Sequence, residues 1–307
     1  MFSRIVVPLD HSDVSEAALP LATDLARRRG IPLALVHVLE MSPDFMAYVH
    51  GMSEVDALIE LEESSQNYLN RLAGGIEGVE VSTIVLRGQP ASRLVEYVDE
   101  LPDSLIVMSS HGRTGFRRMV LGSVTARVIH ASPAPVLVVR AGDDGAEVEI
   151  PESIRRVVVP LDGSEFAEHA LHAVYELVTR KDIQIRLVRV PEIVAYPSTM
   201  YGAASYEGVE AYMSAMRTEA EAYLTQVTER LTERDGDVGW EVRDGAASIA
   251  ILEAAREFDA DLIAMASHGR AGFRRFLLGS VAEQVLREAH IPVLLVGPKD
   301  EDAELDA

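Results

Sequence analysis

Cysteine is absent from the 307-residue chain, which excludes disulfides, thiolate metal ligands and cysteine nucleophiles. Lysine occurs only at Lys181 and Lys299, and the other basic residues are arginines. Positive charge is scarce overall: 28 basic residues face 49 acidic ones, a net of −21. A surface of that sign repels phosphate backbones and anionic headgroups, so neither a general nucleic-acid binder nor a membrane-docking protein is expected. No apolar run approaches the ~20 residues that span a bilayer. The opening MFSRIVVPLD has no secretory layout, so a cytoplasmic protein is expected. What the chain does have is aliphatic bulk. Hydrophobic residues make up 48% of it, enough for a real core, which excludes wholesale disorder. At about 100–200 residues per domain, the length points to two domains.

The sequence repeats itself. IVVPLDHSDVSEAAL from Ile5 matches VVVPLDGSEFAEHAL from Val157, pairing Pro8 with Pro160 and Asp10 with Asp162. SSHGRTGFRRMVLGSV near Ser109 matches ASHGRAGFRRFLLGSV near Ala266, pairing Gly112 with Gly269 and Gly122 with Gly279. A repeat of domain size implies duplication of a whole fold, since solenoid periods are far shorter. The expected division is a first domain over 1–141, a polar acidic linker over 142–153, a second domain over 154–298 and an acidic tail over 299–307.

Within each half, short β-branched runs alternate with helical patterns. Strands are expected at Ile5–Leu9, Leu33–Val38, Val79–Leu86, Leu105–Met108 and Val136–Val139. They recur at Val157–Leu161, Ile183–Val190, Val238–Val242, Leu262–Met265 and Val293–Val296. Helices are expected around Ala17–Leu25, Ser64–Leu72, Ala91–Val98 and Ser123–His130. Ser12 or Asp13 caps the first of these, with Asp13 and Glu16 spaced as a capping box, and Pro20 inside it predicts a kink or a displaced start. Continuous apolar strands alternating with helices indicate an α/β fold, a doubly wound parallel sheet covered on both faces. Ligands of such sheets sit at the carboxyl ends of the strands, where strand order reverses.

Chemistry is best placed after the fourth strand of each half. The loop Ser109–Gly122 carries Gly112 and Gly115 and delivers Gly122-Ser123 to a helix start. Glycine lets backbone approach a ligand, and a helix start offers unpaired N–H groups suited to phosphate. The alternative is that the glycines serve a turn and Ser123 is an N-cap only. The loop is neither a Walker A segment nor a GxGxxG fingerprint, both of which follow a first strand. Asp10 and Asp162 close the first strands at the same sheet edge. Each could accept from an adenine amino group or a ribose hydroxyl, or serve a local turn.

These residues resemble the universal stress proteins: strand, Asp10, then helix; Arg87-Gly88-Gln89-Pro90-Ala91; Val107-Met108 followed by His111-Gly112; nine residues; and Gly122-Ser123. The resemblance covers nearly the whole chain, once per half, as in a tandem universal stress protein. It implies two five-stranded parallel sheets of order 3-2-1-4-5 that pack through their fifth strands, and possible homodimers. It further implies ATP binding, alone or with Mg2+, in a stress-response regulatory protein. Adenine would lie near the first-strand Asp and the end of strand two, with phosphates along the glycine loop. The first site would use Pro8, Asp10, Val38, Met108, His111, Gly112, Gly122, Ser123, Val124 and Thr125. The second would use Pro160, Asp162, Val190, Met265, His268, Gly269, Gly279, Ser280 and Val281. Ser109 and Ala266 stand where the family motif has its first glycine. Thr125, where the second half has Ala282, with a hydroxyl placed for a terminal phosphate, and the Ser109 hydroxyl, where the second half has the Ala266 methyl, lead to the expectation that the first site binds more tightly.

His111 and His268 could touch phosphate or act as bases, or be packed loop histidines. Dedicated catalysis is not expected, and at most slow ATP hydrolysis is, because no base, metal set or arginine finger is recognisable. The competing function is a scaffold of the same fold with empty sites. A phosphoacceptor receiver is disfavoured, since Arg87 ends strand three where an acceptor Asp is needed and no Lys follows strand five.

Overall fold

The structure is a computed structural model and describes residues 1–40, 54–110, 121–140, 153–178, 183–191, 206–232, 237–267 and 278–297. The β-branched runs form β1 (Arg4–Leu9), β2 (Leu33–Leu39), β3 (Val81–Arg87), β4 (Ser104–Ser109) and β5 (Val136–Val139). In the second half they form β6 (Arg156–Pro160), β7 (Gln184–Arg189), β8 (Asp237–Val242), β9 (Leu262–Ala266) and β10 (Val293–Val296). The helices of the first half are α1 (Asp13–Glu16), α2 (Leu19–Arg29), α3 (Glu54–Gly74), α4 (Pro90–Asp99) and α5 (Ser123–Ala131). Those of the second are α6 (Glu165–Leu177), α7 (Tyr206–Thr232), α8 (Ala247–Glu257) and α9 (Ser280–Glu288).

Pro20 has the effect its chemistry dictates. Lacking an N–H, it sits in the first turn of α2, where no intrahelical donor is needed, and the helical path is broken between Glu16 and Leu19. The α1 cap is Ser12, whose hydroxyl accepts from Ser15 N–H at 3.1 Å. The expected Asp13–Glu16 capping box is therefore replaced by a simple serine cap. Ser164 caps α6 in the same way, through Ala167 N–H at 3.1 Å.

All ten strands lie in one sheet of order β3-β2-β1-β4-β5-β10-β9-β6-β7-β8. Each half has the expected 3-2-1-4-5 order, and pairing within a half is parallel. The halves meet through β5 and β10, which pair antiparallel with Leu137 opposite Leu294. One apolar layer holds Val7, Leu35, Leu137, Val159, Leu187 and Leu294 under helix residues such as Leu21, Leu69, Val174 and Leu224. The opposite layer holds Val6, Ile106, Val138, Val158, Ile263 and Leu295 under Leu94, Val128, Ile251 and Val285. Both layers cross from one half to the other, so the seam is continuous core. Arg140 Nη1 reinforces it by donating to Ala289 O at 3.0 Å. No helix among the described residues is long and apolar enough to cross a membrane.

Candidate functional site

The ladder registers show where the sheet opens. β1 pairs with β2 as far as Leu9 opposite His37, but with β4 only as far as Val6 opposite Ile106. β4 meanwhile stays paired with β5 through Ser109 opposite Val139. The carboxyl ends of β1 and β4 therefore diverge at the point where strand order reverses. The second half does the same: β6 follows β7 through Pro160 opposite Val188, yet leaves β9 after Val158 opposite Ile263. Pro8 and Pro160 sit where the ladder separates, a place that tolerates a residue without an N–H.

The register also gathers the predicted residues. Asp10 follows Leu9 and Val38 follows His37, so Asp10 and Val38 end neighbouring strands on one side of the crevice. Asp162 and Val190 do so in the second half. Across the gap stand the buried pairs Met108–Ser109 and Met265–Ala266. Gly122 and Gly279 are the N-caps of α5 and α9. Ser123 and Ser280, the first helical residues, are exposed, and Val124 and Val281 are half-buried. His111, Gly112, His268 and Gly269 lie outside the described residues.

The two ends of each glycine loop are fixed. Ser110 N–H donates to Val139 O at 2.9 Å and Gly122 N–H to Ser110 O at 2.8 Å. Ser267 donates to Val296 O at 2.9 Å and Gly279 to Ser267 O at 2.8 Å. Each loop thus leaves and rejoins the sheet edge at one point, beside a helix start. Among the described residues no side chain caps α5 or α9, in contrast to α1 and α6. A helix start of this kind carries unpaired first-turn N–H groups and the positive end of the helix dipole. Gly122 has φ −56° and ψ 141°, and Gly279 has φ −61° and ψ 144°, which any residue adopts. Backbone conformation does not require glycine at either cap.

Two expectations are revised by geometry. Ser123 is not the N-cap, because that position belongs to Gly122. The Thr125 hydroxyl, expected to donate to a terminal phosphate, donates instead to Ser109 O at 3.0 Å, and the side chain is buried. It ties α5 to the end of β4, so it no longer supports tighter binding by the first crevice.

Each first-strand Asp has a turn role. Asp10 Oδ1 accepts from Ser12 N–H at 3.1 Å, and Asp162 Oδ1 from Ser164 N–H at 2.9 Å. The residue between them in each half lies in left-handed space: His11 at φ 67° and Gly163 at φ 83°. His11 is held there by its ring, stacked on Tyr68 at 4.0 Å and edge-on to the buried His37 at 4.6 Å. His37 Nδ1 lies 2.7 Å from Leu9 O, so Nδ1 carries the proton. In the second half Arg189, equally buried, lies over the Tyr223 ring at 4.9 Å. Tyr223 Oη donates to Glu168 at 3.0 Å, and Arg230 pairs with Glu168 at 2.9 Å. Burial first, then Glu16 for Tyr68 and Glu168 for Tyr223, pushes both phenol pKa values up, so both stay neutral. Two histidines in one half thus take the place of glycine plus arginine in the other.

Sequence reasoning missed this cluster. The signal was available: His11 aligns with Gly163, and a glycine there announces a left-handed turn. His11→Ala is expected to destabilise the fold by about 1–2 kcal/mol more than His11→Gly, because both lose the ring and only glycine relieves the left-handed penalty. Equal losses in chemical denaturation would show that the turn stores no strain.

Among the described residues no group of three or more His, Asp or Glu is placed to hold a metal ion. Comparison with known proteins agrees with the geometry. The model of the universal stress protein family matches residues 1–140 and 153–297. A universal stress protein of Mycobacterium tuberculosis is 27% identical over 302 residues, covering 95% of this chain and 96% of that protein. One from Methanocaldococcus jannaschii is 35% identical over 142 residues, 46% of this chain and 83% of its own length. The crystal structure of a universal stress protein from Archaeoglobus fulgidus shares the fold at a TM-score of 0.70 and 22% identity, covering 97% of each chain. With both halves matched by the family model and the same crevice built twice, the chain belongs to the universal stress protein family.

Proposed function

We propose that the chain is a stress-response regulatory protein that binds adenine nucleotide, ATP alone or with Mg2+, in the two strand-end crevices. The observation that carries this reading is glycine at both uncapped helix starts, Gly122 and Gly279, in conformations that do not need glycine. A serine or aspartate there would cap the helix better. Glycine instead leaves the N–H groups open to an anion at close range. Phosphates would lie against Gly122-Ser123-Val124 and Gly279-Ser280-Val281. Adenine would lie by Asp10 and Val38, or Asp162 and Val190, with Pro8, Met108, Pro160 and Met265 forming the walls. Mg2+, where present, would arrive on the phosphate oxygens. His111, Gly112, His268 and Gly269 belong to the same proposal. Binding without dedicated catalysis is the function proposed. The scaffold reading is favoured by one observation, the presence of Ser109 and Ala266 where the family motif has glycine.

Mass analysis of small molecules released from the heated, purified chain separates the two. An adenine nucleotide is expected. Its absence, together with no calorimetric response to ATP, would leave the scaffold. ATP is further expected to bind about 5- to 150-fold more tightly than GTP. Guanine presents an oxo group where adenine presents a donor, and a buried unpaired polar group costs about 1–3 kcal/mol. Equal affinities in the same titration would remove Asp10 and Asp162 from base reading.

A further inference from the structure

A side chain of one glycine-capped helix reaches across the seam to the entry of the other. α5 starts at Gly122, and His130 lies in its last turn. There its Nδ1 accepts a hydrogen bond from Leu278 N–H at 3.0 Å. Leu278 immediately precedes Gly279, the N-cap of α9. The next N–H along the chain, that of Gly279, donates to Ser267 O at 2.8 Å. Two consecutive N–H groups at the entry to α9 are therefore fixed by acceptors from different halves. One is the end of β9 in their own half, and the other is a side chain of the first half. For Nδ1 to accept, the ring must be neutral with its proton on Nε2.

The reciprocal contact is chemically excluded. Arg287 stands in the second half where His130 stands in the first. Arginine carries five donors and no acceptor, so it cannot receive the N–H of Leu121, the counterpart of Leu278. It pairs instead with Glu283 of its own helix at 2.7 Å.

We propose that His130 is a positioning residue of the second crevice. It fixes the entry to α9 so that the N–H groups after Gly279 are aimed for the phosphates of an adenine nucleotide, and it makes the second crevice dependent on the first half without the converse. The proposal rests on the reading of Gly279 as an anion-binding helix start.

The test uses the full chain with His130→Leu, which removes the acceptor, and His130→Asn, whose Oδ1 lies as far from Cα as Nδ1 does and restores it. Titration with ATP is done in a Gly122→Asp background to report the second crevice, and in a Gly279→Asp background to report the first. Amide exchange at Leu278 is followed in parallel. His130→Leu is expected to speed Leu278 exchange and to weaken ATP at the second crevice by about three- to tenfold, with the first unchanged. His130→Asn is expected to restore both. Equal weakening in both crevices, no weakening, or failure of Asn to do better than Leu would overturn the proposal. Absence of ATP binding in the unmutated chain would overturn the nucleotide reading and this proposal with it. Normal ATP binding by His130→Leu would overturn this proposal alone.

Discussion

Leu137→Ala and Leu294→Ala are each expected to lower the unfolding free energy by about 2–5 kcal/mol. Both side chains are fully buried, and they face each other across the antiparallel β5–β10 pair. Each truncation removes apolar contact and leaves a cavity in a layer that serves both halves, with little room to collapse. The double variant is expected to depart from additivity by about 0.5–3 kcal/mol, because the two residues share one contact. Leu137→Pro with Val138→Pro should go further by also removing backbone donors from the middle of the sheet. Because both core layers cross the seam, chemical denaturation is expected to show a single cooperative transition for the parent chain. Two separable transitions, with Leu137→Ala affecting only one, would mean that the halves are independent units joined by a tether.

The second large effect concerns ligand binding rather than folding. Gly122→Asp and Gly279→Asp each place a carboxylate against the position proposed for phosphate. Two unit charges at 4 Å with an effective dielectric constant of about 20 interact by about 4 kcal/mol, and solvent and salt reduce this. A loss of about one to three orders of magnitude in ATP affinity is expected at the altered crevice. The backbone angles at both positions accommodate aspartate, and aspartate is a better helix cap than glycine by a few tenths of a kcal/mol. Each variant should therefore be slightly more stable to denaturant while its crevice fails to bind. The Thr125 hydroxyl is bonded to Ser109 O and does not rank the crevices, so a larger loss from Gly122→Asp would rest on Ser109 against Ala266 alone. Unchanged ATP affinity in both would dispose of the helix-start reading, and a loss accompanied by unfolding would show that the glycines are structural.

The strands themselves were legible because burial imposes a pattern on sequence, whereas their order and the seam were expected through the family resemblance. A strand covered on both faces, such as Val136–Val139, has to be apolar throughout, and it can be read without knowing its neighbours. Helix extents were less legible. Ser64–Leu72 was read as part of a helix, and that helix runs over Glu54–Gly74, since exposed turns carry no periodic apolar signal. Asp10, Asp162 and the glycine loops stood out by their positions after strands one and four and the other candidate residues through the resemblance, but the partners of individual polar atoms were not legible. The Thr125 bond to Ser109 O and the His130 bond to Leu278 N–H join groups 16 and 148 positions apart, and no local pattern encodes either. His37 and Arg189 were missed for a related reason. A polar residue inside an apolar run reads as noise until the fold shows what it touches.

The antiparallel seam between β5 and β10 has a further consequence for how such a molecule can diverge. When two identical copies meet about a two-fold axis, every contact occurs twice, and a substitution on one side necessarily appears on the other. A favourable change must then be self-complementary to survive. Joining the copies in one polypeptide keeps the geometry and lifts that constraint. Either side can change alone, so position 130 can hold a histidine while its counterpart, residue 287, holds an arginine. The same freedom lets one half carry His11 and His37 where the other carries Gly163 and Arg189. Linkage thereby converts a pair of equal sites into two that selection can tune separately, which identical subunits cannot achieve.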